Sequence, residues 1–91
     1  MAFLISLVVP IFNIEHFLKS CLESISSNQE ISNCEVILVD DGSNDLSQQV
    51  AREWIEENSQ LNCKLICQEN RGLSSARNLG LKNASGKFVW F

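Results

Sequence analysis

The sequence predicts an α/β fold: a three-layer, Rossmann-like parallel sheet with strand order 3-2-1-4 and helices on both faces. Three observations lead there. Short apolar runs rich in β-branched residues alternate with helical apolar stripes, giving β-α-β-α-β-α-β along the chain. Such a chain closes by right-handed crossovers between parallel strands. The first run, Leu4–Val9, is the most continuously apolar and is therefore expected at the centre of the sheet.

The first strand is expected over about Leu4–Val9, stopped by Pro10. The apolar opening is far shorter than the roughly 20 residues of a membrane span. It has neither a cationic start nor a cleavage site, so a buried strand is expected rather than a signal peptide or a span. The first helix follows, with Leu18, Cys21, Leu22 and Ile25 on one apolar stripe. Asn13 is placed as its N-cap, Glu15 suits the positive end of its dipole, and the Ser26–Gln29 run ends it.

The second strand is expected over about Glu35–Val39. Val36, Ile37, Leu38 and Val39 are continuously apolar, as in a strand buried on both faces, and lead into Asp40-Asp41-Gly42-Ser43. The second helix runs about Leu46–Asn58, with Val50, Ala51, Trp54 and Ile55 inward. Ser43 or Asn44 is its expected cap, with Asp45 in its first turn. The third strand spans about Cys63–Cys67 and the third helix about Ser74–Asn83, closed by a left-handed stop at Ala84-Ser85-Gly86. Lys87–Phe91 begins a fourth strand.

Ninety-one residues make one domain, 1–91, able to bury roughly 60–65% of its extended-chain surface. The net charge is −4 and no Lys/Arg cluster occurs. That excludes a nucleic-acid footprint and attraction to anionic lipid, though not a nucleotide gripped by a few local groups. Four cysteines in such a chain are expected as reduced thiols of a cytoplasmic protein. Cys63 and Cys67 stand about 13 Å apart along a strand and cannot share a metal without a bend. With His16 the single histidine, no metal site is expected and His16 reads as an ordinary helix residue.

In open α/β sheets ligands sit beyond the carboxyl ends of the strands, at the switch point of strand order. The crevice walls are expected just after Val9 and just after Phe91. The turn after the first strand, Pro10-Ile11-Phe12-Asn13-Ile14-Glu15, lacks a glycine-rich phosphate loop. Phe12 has two readings there, a ring stacking on a nucleobase or a core side chain, and Asn13 is either a site residue or a cap alone. Asp40 and Asp41, adjacent on a strand, point to opposite faces and form no acid/base dyad. One is expected to accept backbone N–H bonds from a neighbouring helix start, and Asp41, nearer the turn, to reach the ligand. Both could equally be turn aspartates with no ligand.

The third signal is Asn70-Arg71-Gly72-Leu73-Ser74-Ser75-Ala76-Arg77-Asn78-Leu79-Gly80. Gly72 permits a tight turn into the third helix. Gly80, which costs about 1 kcal/mol relative to Ala, points to close helix–sheet contact. Arg77 could meet a diphosphate with its fork of donors, or be solvated or paired with a carboxylate. No catalytic constellation is present among these residues.

Together, Leu7–Asn13, Val36–Asp45 and the Asn70–Gly80 block, followed by Ala84-Ser85-Gly86-Lys87, resemble glycosyltransferase family 2 in order and spacing over essentially the whole chain. The resemblance implies the amino-terminal, nucleotide-binding part of a GT-A fold, here an incomplete GT-A domain. It implies transfer of a sugar from a nucleotide-diphosphate donor, a UDP-sugar favoured, to a glycan or lipid-linked acceptor. It further implies a divalent cation, Mg or Mn, in the full-length enzyme. By position, Pro10, Phe12 and Asn13 would border the base, with Phe12 replacing a frequent tyrosine. Glu15 matches a commonly acidic position, Asp41 would bind the base, and Arg77 would face the diphosphate. The family's metal-binding Asp-x-Asp follows a strand like Phe88–Phe91 and does not occur in these residues, nor does a catalytic base. The chain by itself is therefore expected to be inactive, with the full-length form peripheral at the inner face of the membrane. A different class of reading is a non-catalytic interaction module, self-associating through the apolar edge Phe88-Val89-Trp90-Phe91. Response-regulator receivers share the alternation but place their acidic pair after the first strand.

Overall fold

The structure, a computed structural model, describes residues 4–28 and 30–90. Met1–Phe3, Gln29 and Phe91 lie outside the described residues. They include the start of the apolar opening, the end of the expected first-helix stop and the last residue of the expected fourth strand.

In order come β1 (Ile5–Ile11), α1 (Glu15–Ser26), a 3-10 turn (Ile31–Asn33), β2 (Cys34–Asp41), α2 (Ser47–Glu57), β3 (Asn62–Gln68), α3 (Leu73–Asn83) and β4 (Phe88–Trp90). The sheet order is β3-β2-β1-β4, and every pair is parallel. This is the expected architecture. The middle pair runs in register from Ile5 opposite Cys34 to Ile11 opposite Asp40. Both aspartates therefore lie within the end of β2 rather than after it.

Alternation along the central strands builds the three layers. Val36 and Leu38 of β2 join Ile11, Leu18, Leu22, Ala51 and Trp54 in the core under α1 and α2. Ile37 and Val39, one residue out of phase, join Val8 and Ala76 under α3. Gly80 brings α3 down onto β1, because a Cβ at that position would overlap the Val8 side chain. The close contact inferred from a glycine inside a helix is present.

Several local expectations are corrected. Cys21 is exposed, since the buried face of α1 centres on Leu18 and Leu22 and leaves Cys21 on its flank. Asn13 is not the N-cap of α1; Ile14 holds that position, and no side chain of its own caps the helix. Ser43 and Asn44 do not cap α2, which starts at Ser47 with Leu46 as N-cap, and Asp45 precedes the helix. The end of α3 is not left-handed: Ala84 is extended, at φ −77° and ψ 135°.

The cause of that last difference lies in a buried polar knot at the amino end of the sheet. Ser6 Oγ donates to Glu35 Oε1 at 2.6 Å and accepts the Gly86 N–H at 2.7 Å. The Ser85 N–H donates to the same carboxylate oxygen. These bonds draw residues 84–86 straight into β4. Gly86 is needed because a Cβ there would lie 2.6 Å from Ser6 N and Oγ. Burial pushes the Glu35 carboxyl up, but the bonds from Ser6 and Ser85 outweigh it and hold it below the ordinary range.

Candidate functional site

Three loops meet at the carboxyl end of the sheet, and the hydrogen bonds of α1 explain how. The first N–H groups of a helix have no partner within it. Here the Asn13 N–H donates to Ser43 Oγ at 3.0 Å, that of Ile14 to Ser47 Oγ at 3.0 Å, and that of Glu15 to Asp45 Oδ2 at 3.2 Å. The segment leading into α2 thus caps α1 from another part of the chain. Asp45 serves both helices, accepting the Ser47 N–H at Oδ1 as well. Burial raises its carboxyl, and the bonds from Ser47 and Glu15 outweigh that and lower it.

The third loop is joined through Gly42. At φ 74° it occupies the left-handed region that favours glycine, and a Cβ on it would sit 2.7 Å from the backbone nitrogen of Asn70.

Between these loops opens a cleft of about 390 Å³. Pro10, at the end of β1, and Phe12 and Ile14, just after it, line one side, and Asn70, Gly72 and Leu73 line the other from the turn into α3. Asp41 and the small Ala76 complete the lining. Phe12 is 44% exposed, a surface ring rather than a core side chain. A groove of similar size, about 420 Å³, lies by β4 and is lined largely by Ile5, Leu7, Ile25, Ile31 and Trp90. It is apolar and away from the carboxyl edge.

Asp41 is 5% exposed and densely hydrogen-bonded. Oδ1 accepts from Gln68 Nε2 at 2.8 Å and the Arg71 N–H at 2.7 Å; Oδ2 accepts the Gly72 N–H at 2.9 Å. The Arg71 bond foremost holds the carboxyl below its ordinary value; burial opposes it, and Gln68 and Gly72 reinforce it. The group is therefore an ionised acceptor at neutral pH. With one protein donor on Oδ2, that oxygen retains capacity for a further N–H or O–H donor from a ligand.

The two aspartates divide their work differently from the sequence expectation. Asp41 itself accepts the backbone N–H groups of a neighbouring helix start, while also lining the cleft. Asp40 is fully buried on the α2 side, where Oδ2 accepts the Ser43 N–H and Gln48 Nε2, each at 3.0 Å. Its Oδ1 is buried with no hydrogen-bond partner among the described residues.

Pro10, Phe12 and Asp41 are thus brought together. Asn13, Glu15 and Arg77 are not part of the lining. Asn13 and Glu15 stand behind one wall, tied to the loop before α2, and Arg77 is exposed on α3 next to Ala76. Among the described residues the facing wall comes from the turn after β3; the wall expected just after Phe91 lies outside the described residues. Asn70, Gly72, Leu73 and Ala76 fall in the Asn70–Gly80 block that the sequence singles out, but none of them was expected to line the cleft. The available signal was Gly72 just ahead of the helix, which adopts φ 97°.

Among the described residues no group of three or more His, Cys, Asp or Glu side chains could hold a metal ion, so no metal-dependent step is assigned to them. All four cysteines are free. No helix among the described residues is long and apolar enough to cross a membrane.

Comparison with known proteins gives a consistent result. The family model for glycosyl transferase family 2 matches residues 6–91. Glycosyltransferase GlyA of Streptococcus pneumoniae is 44% identical over 87 residues, which cover 96% of this chain and 12% of that protein. The structure of the mannosyltransferase PcManGT from Pyrobaculum calidifontis, in complex with GDP-Man and Mn2+, superposes with a TM-score of 0.90 at 27% identity, covering 98% of this chain and 26% of that one. S. aureus TarS 1-349 in complex with UDP-GlcNAc superposes with a TM-score of 0.84 at 32% identity, covering 94% and 25%. The chain therefore spans a quarter or less of the length of GlyA and TarS 1-349, and about a quarter of PcManGT.

Proposed function

The chain belongs to glycosyl transferase family 2, and from that premise we propose that it holds the nucleotide of a nucleotide-diphosphate sugar. The carrying observation is that Phe12 and Asp41 line one cleft at the carboxyl edge of a GT-A-type sheet. Phe12 offers a face for the base, and Pro10 stiffens the end of β1 that leads into it. Asp41, ionised and acceptor-only, takes an N–H from the base edge. A uracil imide supplies such a donor, which favours a UDP-sugar. Arg77, exposed on α3, serves the diphosphate side.

In the whole protein the sugar then passes to a glycan or lipid-linked acceptor on the cytoplasmic side, a location that four free thiols support. A divalent cation, when bound, offsets charge on the diphosphate leaving group. Among the described residues no group of three or more His, Cys, Asp or Glu side chains could hold it without further ligands.

Calorimetric titration with UDP tests the reading. Saturable heat from wild type, lost in Asp41→Ala, is the expected result. No heat from wild type, or equal heat from the variant, would reject it.

A second reading draws on β4, where Phe88 and Trp90 are 55% and 61% exposed. Such an edge suits an interaction module that associates with itself. A strictly monomeric mass by light scattering at high concentration counts against it.

A further inference from the structure

Asn13 carries no part of the cleft lining, yet its backbone and side chain are both committed at the point where the cleft is shaped. It is among the described residues the non-glycine with positive φ, at 50°. Such a conformation is uncommon outside glycine and is tolerated best by Asn and Asp. The residue is fastened on two sides: its N–H donates to Ser43 Oγ at 3.0 Å, and its Oδ1 accepts the Asn44 N–H at 2.8 Å.

The two bonds form a clasp between the loop after β1 and the loop after β2. On one side the clasp adjoins Phe12; on the other it adjoins Gly42 and Asp41. The Ser43 end is itself anchored, because its N–H donates to the buried Asp40 carboxylate at 3.0 Å. Phe12 has no comparable anchor: it is 44% exposed and lies one residue from the clasp. The β1–β2 ladder sets Ile11 opposite Asp40, and beyond its end the loop carrying Phe12 is tied to the Ser43–Asn44 turn through Asn13.

We propose that Asn13 is a positioning residue, which sets Phe12 against the nucleotide base by clasping the Ser43–Asn44 turn without touching the base. This rests on the nucleotide-binding reading. It assigns Asn13 a role different from that of a base contact, since the residue stands outside the cleft lining and its side-chain oxygen is turned to the Asn44 N–H.

Three substitutions separate backbone conformation from clasp. Asn13→Gly keeps access to positive φ but lacks the acceptor. Asn13→Ala lacks both, and Asn13→Asp keeps both. Each full chain is titrated with UDP and with uridine; uridine has no phosphate, so the added charge of Asn13→Asp does not confuse the comparison. Asn13→Gly is expected to weaken both ligands about three- to tenfold, and Asn13→Asp to bind uridine within about twofold of wild type. Thermal midpoints are followed in parallel. A purely structural defect would not be rescued in uridine affinity by Asn13→Asp at an equal midpoint to Asn13→Gly.

Wild-type affinity in Asn13→Gly would overturn the clasp. Uridine affinity in Asn13→Asp as low as in Asn13→Ala would overturn it in favour of a direct amide contact. Failure of the wild type itself to bind UDP would be a separate outcome, rejecting the nucleotide reading and this proposal with it.

Discussion

The carboxylate of Asp41 closes the amino end of α3, its Oδ2 accepting the Gly72 N–H at 2.9 Å while Oδ1 accepts that of Arg71. A single side chain at the end of β2 thus fixes a helix start contributed thirty residues later, and does so at the edge of the cleft.

Replacing Asp41 by Asn removes the charge and one strong acceptor while keeping the shape. Hydrogen exchange at the Arg71 and Gly72 amides is expected to accelerate, and UDP affinity to fall by about tenfold or more, as for loss of a charge-assisted bond. Unchanged exchange at both amides would contradict the assigned contacts.

The same carboxyl sets a pH dependence. Its folded value lies below its ordinary one, so its stabilisation is present above the ordinary carboxyl range and is lost as pH falls through the folded value. The urea midpoint is expected to hold steady from neutrality to about pH 5 and to decline below about pH 4. Glu35 and Asp45, lowered likewise, act in the same window. Asp41→Asn should flatten part of the decline.

Gly80→Ala tests the contact of α3 with β1. In an open helix this change gains about 1 kcal/mol. Here the added Cβ meets the Val8 side chain, and a net loss of roughly 1–3 kcal/mol is expected in chemical denaturation. Combining it with Val8→Ala, which makes room, should cost less than the two single changes added together.

What could be read ahead of the coordinates follows from where the determining interactions lie. The strands, their order and the Gly80 contact were legible because burial writes itself into local patterns: a continuous apolar run, a glycine inside a helix. The helix caps were not. Asn13 looks like a cap by its type and position, yet the groups that cap α1 are Ser43, Asp45 and Ser47. The sharing of duties between Asp40 and Asp41 was hidden for the same reason. Which carboxylate meets a helix start depends on α3 folding back over β2.

Ser6→Ala examines the polar knot at the opposite end of the sheet. It leaves the Gly86 N–H without its acceptor and Glu35 without one donor, and should cost about 1–3 kcal/mol. The cleft lies at the other pole, so UDP affinity of the folded variant should stay at the wild-type level. A large change in affinity would show that the two ends are coupled.

Burial pushes the Cys63 thiol up to about 11. At pH 8 on the order of one thiol in a thousand is then ionised there. Mass-spectrometric mapping of alkylation should find Cys63 modified well after the exposed Cys21, with its rate still climbing above pH 9.

The hydrogen bonds that join the three loops all connect positions 30 to 33 apart in sequence. No short stretch of polypeptide holds even a rough version of the pocket. During synthesis on the ribosome the loops after β1 and β2 meet first, but the wall from Asn70 to Ala76 follows β3 and completes the pocket last. A nascent chain interrupted before Gln68 would carry Phe12 and Asp41 and still offer a nucleotide nowhere to rest.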